Sequence, residues 1–73
     1  MSSSLPLISG SQVIRALEKA GFRRVGQKGS HAKLRDTANR TVIVPMHDEV
    51  ARGTLRSILR QAGLSVEEFW TFL

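Results

Sequence analysis

The chain has 73 residues, no cysteine, a net charge of +5 and 41% apolar side chains. A chain of this length builds one domain with a modest core, burying roughly 60% of its unfolded surface, so a deep cavity for a large organic cofactor is not expected. Having no cysteine excludes disulfides, thiolate zinc sites and a cysteine nucleophile, and no apolar run approaches the ~20 residues of a membrane span.

The opening "MSSSLPLISG" lacks a basic segment and a long apolar run, so it does not read as a signal peptide. Residues 1–8 are expected to be a flexible leader, followed by a single domain over 9–73 with a cytoplasmic address. Ser9 followed by Gln12 is a capping-box signature, and Val13, Ile14, Leu17 and Ala20 follow at helical spacing. Gly21 is placed to end that helix, which is predicted at about residues 10–20.

"FRRVGQK" then changes to a period near two, predicting a strand with Val25 inward and Arg24, Gly26 and Lys28 outward. Gly29 and Ser30 make a tight turn. In "HAKLR" the pattern alternates again, with Ala32 and Leu34 on one face and His31, Lys33 and Arg35 on the other. "DTAN" is a turn composition. "RTVIVPM" is rich in β-branched residues and predicts a third strand with Val42, Val44 and Met46 inward, and Pro45 marks it as an edge strand or as ending there.

"HDEVARGT" reads as a loop, with Thr54 or Gly53 opening a second helix. Leu55, Ile58, Leu59 and Ala62 form its apolar stripe, Arg52, Arg56 and Arg60 a separate basic ridge, and Gly63 its stop. Ser65 with Glu68 is a second capping box, starting a short terminal helix with Val66, Phe69, Trp70 and Leu73 inward.

The fold class is therefore α+β, in the order α-β-β-β-α with a short extra C-terminal helix. Three strands with short connections form an antiparallel sheet, helices cover one face, and the other face carries the basic residues and His31. Positive charge is also concentrated in one contiguous stretch of the sequence. Residues 15–40 hold eight Lys/Arg against Glu18 and Asp36, a net of +6, while the remainder carries a net of −1. Such a block is the footprint of a phosphate-binding face, although a solvated basic surface kept for solubility has the same composition.

His31 is the sharpest candidate for chemistry. An imidazole titrates near neutrality and can take or give a proton, and RNA carries its own nucleophile in the 2′-hydroxyl. Cleavage then needs a proton acceptor, a proton donor and cations around the phosphorus; Lys28, Lys33, Arg35 and Arg24 are candidates for the last. A solvent-facing histidine without a role fits the same pattern. Gly29 and Ser30 serve the turn, and Ser30 has a second candidate role as a phosphate contact. His47, in "PMHDE", is a possible second acid/base or substrate contact, against a loop histidine paired with Asp48 or Glu49. No recognised metal-ligand spacing occurs, so no metal and no cofactor are expected. Phe69 and Trp70 could stack on bases, but their helical register favours packing. The arginine ridge fits a solvated face.

At "SQVIRALEKAGFRRVGQKGSHAKLRD", "TVIVPMH" and "GTLRSILRQAGLSVEEF" the sequence resembles the HicA family of toxins. The resemblance spans about residues 9–69 and rests on the ordered set "KAGF", "QKGSH", "VPMH", "GTLRSILRQAGLS" and "EEF". It implies a fold similar to a double-stranded-RNA-binding domain and the activity of a ribosome-independent mRNA interferase, an endoribonuclease of a type II toxin-antitoxin system. It implies that His31, in the Gly-Ser-His signature, is catalytic. The implied partners are mRNA and a HicB-type antitoxin, which commonly supplies the DNA binding, so none is expected of this chain alone. Domains of the double-stranded-RNA-binding type bind A-form RNA without cutting it, and a fold alone does not imply catalysis. A non-catalytic RNA-binding module is therefore the alternative, and a domain that binds an acidic protein partner is a third reading.

Overall fold

The computed structural model describes residues 5–73. The elements are α1 (Gly10–Lys19), β1 (Arg23–Lys28), β2 (His31–Arg35), β3 (Thr41–Pro45), α2 (Arg52–Ala62) and α3 (Val66–Phe72). The strands form one antiparallel sheet in the order β1-β2-β3, the α+β arrangement that the sequence predicts. The body measures 35 × 27 × 17 Å. A sheet and a helix layer each need about 10 Å, so the short dimension holds one of each, and one sheet face is left open.

Local chemistry sets the helix boundaries. Ser9 caps α1 through a full capping box with Gln12, and Gly21 at φ 104° lets the chain leave the helix. Ser65 and Glu68 form the same box at α3, and Gly63 ends α2 in the left-handed conformation. The start of α2 differs from the expectation at Gly53 or Thr54. It begins at Arg52, and its N-cap Ala51 makes no side-chain cap bond. Tertiary contacts position it instead: Val50 is buried, and its N–H donates to the Ile8 carbonyl at 2.7 Å.

The core is wholly apolar among the described residues, with no buried polar or charged side chain. Ala32, Leu34, Val42 and Val44 supply it from the sheet, and Val13, Leu17, Leu55, Ile58 and Phe69 from the helices. Three expectations need correction. Of the leader expected over residues 1–8, residues 1–4 lie outside the described residues. Leu5, however, is only 2% exposed, and its carbonyl accepts from Arg52 Nε at 2.8 Å, so this part packs. Val25 is 40% exposed instead of inward, because the β1–β2 register shifts between Arg24 and Gly26 and makes it the extra residue of a β-bulge. Trp70 and Leu73 are 46% and 44% exposed. Phe69 fills the core with Val66 and Phe72 against it, whereas Trp70 lies a further 100° around the helix and Leu73 falls beyond its last turn.

Candidate functional site

Residues opposed across neighbouring strands share a face of the sheet, and successive residues alternate. Ala32 and Leu34 point to the helices, so the open face is built from three rungs. These are Lys28–His31–Pro45, Gly26–Lys33–Ile43 and Arg23–Arg35–Thr41. None of the three strands contains Asp or Glu, while together they carry Arg23, Arg24, Lys28, Lys33 and Arg35. The charge on the sheet is thus all positive and lies on β1 and β2, and the ion pair found among the described residues, Arg40 with Asp36 at 3.3 Å, lies beyond it in the β2–β3 turn.

His31 opens β2 directly after the Gly29–Ser30 turn. That two-residue loop has positive φ at its first central residue, Gly29 at 58°, and not at Ser30, the sign pattern of a type II′ hairpin turn. The turn sets His31 opposite Lys28. Beside it, the Met46 N–H donates to the Ser30 carbonyl at 2.6 Å, which ties the end of β3 to the turn. An open groove over this end is lined by Gly26, Gln27, Lys28, Gly29, Ser30, His31, Lys33 and Ile43. Arg35 sits at the far end, partly buried, with its Nε donating to Thr41 Oγ1 at 3.3 Å.

Five of the residues singled out from sequence, Lys28, Gly29, Ser30, His31 and Lys33, therefore meet in one groove, with Arg35 on the same face. Arg24 does not join them. It opposes Leu34, so it projects on the helix side of the sheet edge, and its Nη1 donates to Gln27 Oε1 at 3.3 Å. The bulge at Val25 is the cause. It exchanges the faces of the residues before it and brings Arg23, not Arg24, onto the open face. Ile43 is the other residue that the sequence reading passed over. It is 41% exposed opposite Lys33, and its place between the inward Val42 and Val44 is the signal that could have found it.

His47 is exposed in the loop after β3. The structure fixes its backbone: its carbonyl accepts the Gly10 N–H at 2.9 Å, which docks the start of α1 on the strand end. Gly10 is needed for that approach, because a Cβ there would run into the Pro45 carbonyl oxygen and lie 3.0 Å from Met46 Cα. A second groove runs between the N-terminal segment, α1 and α3, past Pro6, Ile8, Arg15, Lys19, Trp70 and Leu73. It holds none of the predicted site residues.

The family model of the HicA toxin of bacterial toxin-antitoxin systems matches residues 10–64. The chain belongs to the HicA toxin family. The match runs from the first residue of α1 to just past α2, and so takes in the whole sheet and the His31 groove. A solved chain from a toxin-antitoxin complex from Streptococcus pneumoniae is 31% identical and superposes with a TM-score of 0.69, over 78% of this chain and 98% of that one. Among curated proteins the chain finds no match. The HicA match leaves α3 and the segment before Gly10 outside it, and these two elements flank the second groove. No helix among the described residues is long and apolar enough to cross a membrane.

Proposed function

We propose that this HicA-family protein is the toxin of a type II toxin-antitoxin system and an endoribonuclease that cleaves mRNA, arresting translation and growth in the cytoplasm. What carries the reading is the position of His31: an exposed imidazole at the head of β2, opposite Lys28 and two residues from Lys33, on a sheet face without a carboxylate.

The chemistry follows from the substrate. His31 takes the proton of a ribose 2′-hydroxyl, and the 2′-oxygen attacks the adjacent phosphorus. The bond from phosphorus to the 5′-oxygen breaks, and that oxygen leaves with a proton from water. The products are a 2′,3′-cyclic phosphate and a 5′-hydroxyl. Lys28 and Lys33 offset the charge that builds on the phosphoryl oxygens, Arg35 holds the backbone further along, and the Gly29–Ser30 turn admits the phosphate closely. The nucleophile is part of the RNA, so the step calls on no metal. Its natural partner is a HicB-type antitoxin that covers the cationic face; the complex from which the pneumococcal relative comes supports a partner of this kind.

The test is to induce the parent chain and His31→Ala in bacteria, following growth and full-length mRNA, with a thermal melt of each purified protein. The parent should stop growth as mRNA disappears. His31→Ala should melt like the parent and cleave on the order of 10²–10⁴-fold more slowly in vitro, the range for loss of a general acid or base. Chelation with EDTA should leave the parent's rate unchanged. If both proteins leave mRNA intact but bind it, the non-catalytic RNA-binding reading holds instead.

A further inference from the structure

Arg23 and Arg35 face each other directly across β1 and β2 on the open side of the sheet. Opposed residues in such a pair hold their Cβ atoms about 4.5–5.5 Å apart, and like charges there cost stability. No strand carboxylate offsets them. Thr41, the third member of the rung, accepts from Arg35 Nε, which orients that side chain, and among the described residues no other hydrogen bond of the Arg35 guanidinium is found. Two arginines on opposed residues of one rung offer donors that match the planar, multidentate recognition of a phosphate.

We infer that Arg23 and Arg35 together clasp one backbone phosphate of the RNA, at a subsite remote from the reacting bond. This rests on the reading of the open face as the RNA-binding face. Arg35 lies four residues along β2 from His31, about 13 Å at the strand rise, so the clasped phosphate is a different one from that at His31. Between them the middle rung offers Gly26, where an added Cβ would meet nothing within 4 Å, and the exposed side chain of Ile43. A bare backbone and an aliphatic surface beside Lys33 suit a ribose or base of a single strand. A duplex would present phosphates and 2′-hydroxyls across its minor groove instead. The ligand is therefore a single-stranded segment laid along β2, cut at the turn end and anchored at the bulge end.

The experiment measures binding of a fluorescein-labelled 12-nucleotide single-stranded RNA to the full chain carrying His31→Ala, so that the probe is not consumed. Anisotropy titrations at several salt concentrations compare this parent with Arg23→Gln, Arg35→Gln, the pair combined, and Arg24→Gln. Each single change at 23 or 35 should weaken binding about tenfold, and the two combined should reduce the salt slope by about 0.7, the share of the one phosphate they hold. The double variant should lose clearly less than the product of the two, because both arginines serve one phosphate. Arg24→Gln should bind like the parent, and Arg23→Gln, relieved of a like-charge contact, should melt no lower than it. Parent-like binding by Arg23→Gln overturns the inference, as does an equal loss in Arg24→Gln or a fully multiplicative double variant. If the parent shows no salt-dependent RNA affinity, the clasp is not for RNA, and an acidic segment of a partner protein is its fit. Cleavage is read separately on the chain with His31 intact: no cleavage with the binding pattern preserved leaves the clasp standing and removes only the catalytic reading.

Discussion

Two glycines three residues apart show how backbone conformation, and not space, decides what a position tolerates. An added Cβ at Gly26 or at Gly29 would meet nothing within 4 Å, yet only Gly29 has positive φ, at 58°. Left-handed backbone costs a non-glycine residue roughly 1–2 kcal/mol. Gly29→Ala should therefore lower stability by about 1 kcal/mol or more in denaturant titrations. It should also slow cleavage, since the turn it strains is the one that delivers His31. Gly26→Ala should hold or slightly raise stability, because alanine loses less chain entropy on folding. A destabilised Gly26→Ala with an unaffected Gly29→Ala would reverse this assignment. The same scale explains which site residues could be read from sequence. His31, Lys33 and Arg35 follow from simple alternation within one uninterrupted strand. Arg23 and Arg24 do not, because a one-residue slip exchanges the two faces, and nothing in "FRRVGQK" marks where the extra residue lies.

At the scale of elements, the helices with side-chain caps were legible because a capping box is written in four consecutive residues. Both boxes, at Ser9–Gln12 and Ser65–Glu68, form as the spacing implies. What could not be read is held by distant contacts. The start of α2 depends on Val50 meeting Ile8, and the N-terminal segment depends on Arg52 reaching back to Leu5; local composition carries no trace of either. That segment makes a sharp stability prediction. Leu5 is 2% exposed and Leu7 is 47% exposed, two positions apart in the same stretch. Leu5→Ala should cost about 2–5 kcal/mol, as for a buried leucine, while Leu7→Ala should stay within about 0.5 kcal/mol of the parent. Equal, negligible effects would return the segment to the flexible leader that its serine-rich sequence suggests.

For the whole molecule, the net charge of +5 says less than the layer that carries it. The helical layer has its own cations in Arg56 and Arg60, exposed on α2 while Leu55, Ile58, Leu59 and Ala62 face the core. The open sheet face has Arg23, Lys28, Lys33 and Arg35. Long-range attraction treats these charges nearly alike, but counterion release counts only phosphates that are actually neutralised. Lys33→Gln and Arg60→Gln each remove one positive charge, so their net charges are equal. If RNA lies on the sheet, the first should flatten the plot of log affinity against log salt by about 0.7, and the second should leave its slope unchanged. Equal slopes for the two variants would mean that binding follows total charge and is not localised on the sheet. A flatter slope for Arg60→Gln alone would move the RNA to the helical layer, away from His31, and the catalytic assignment would lose its geometric basis.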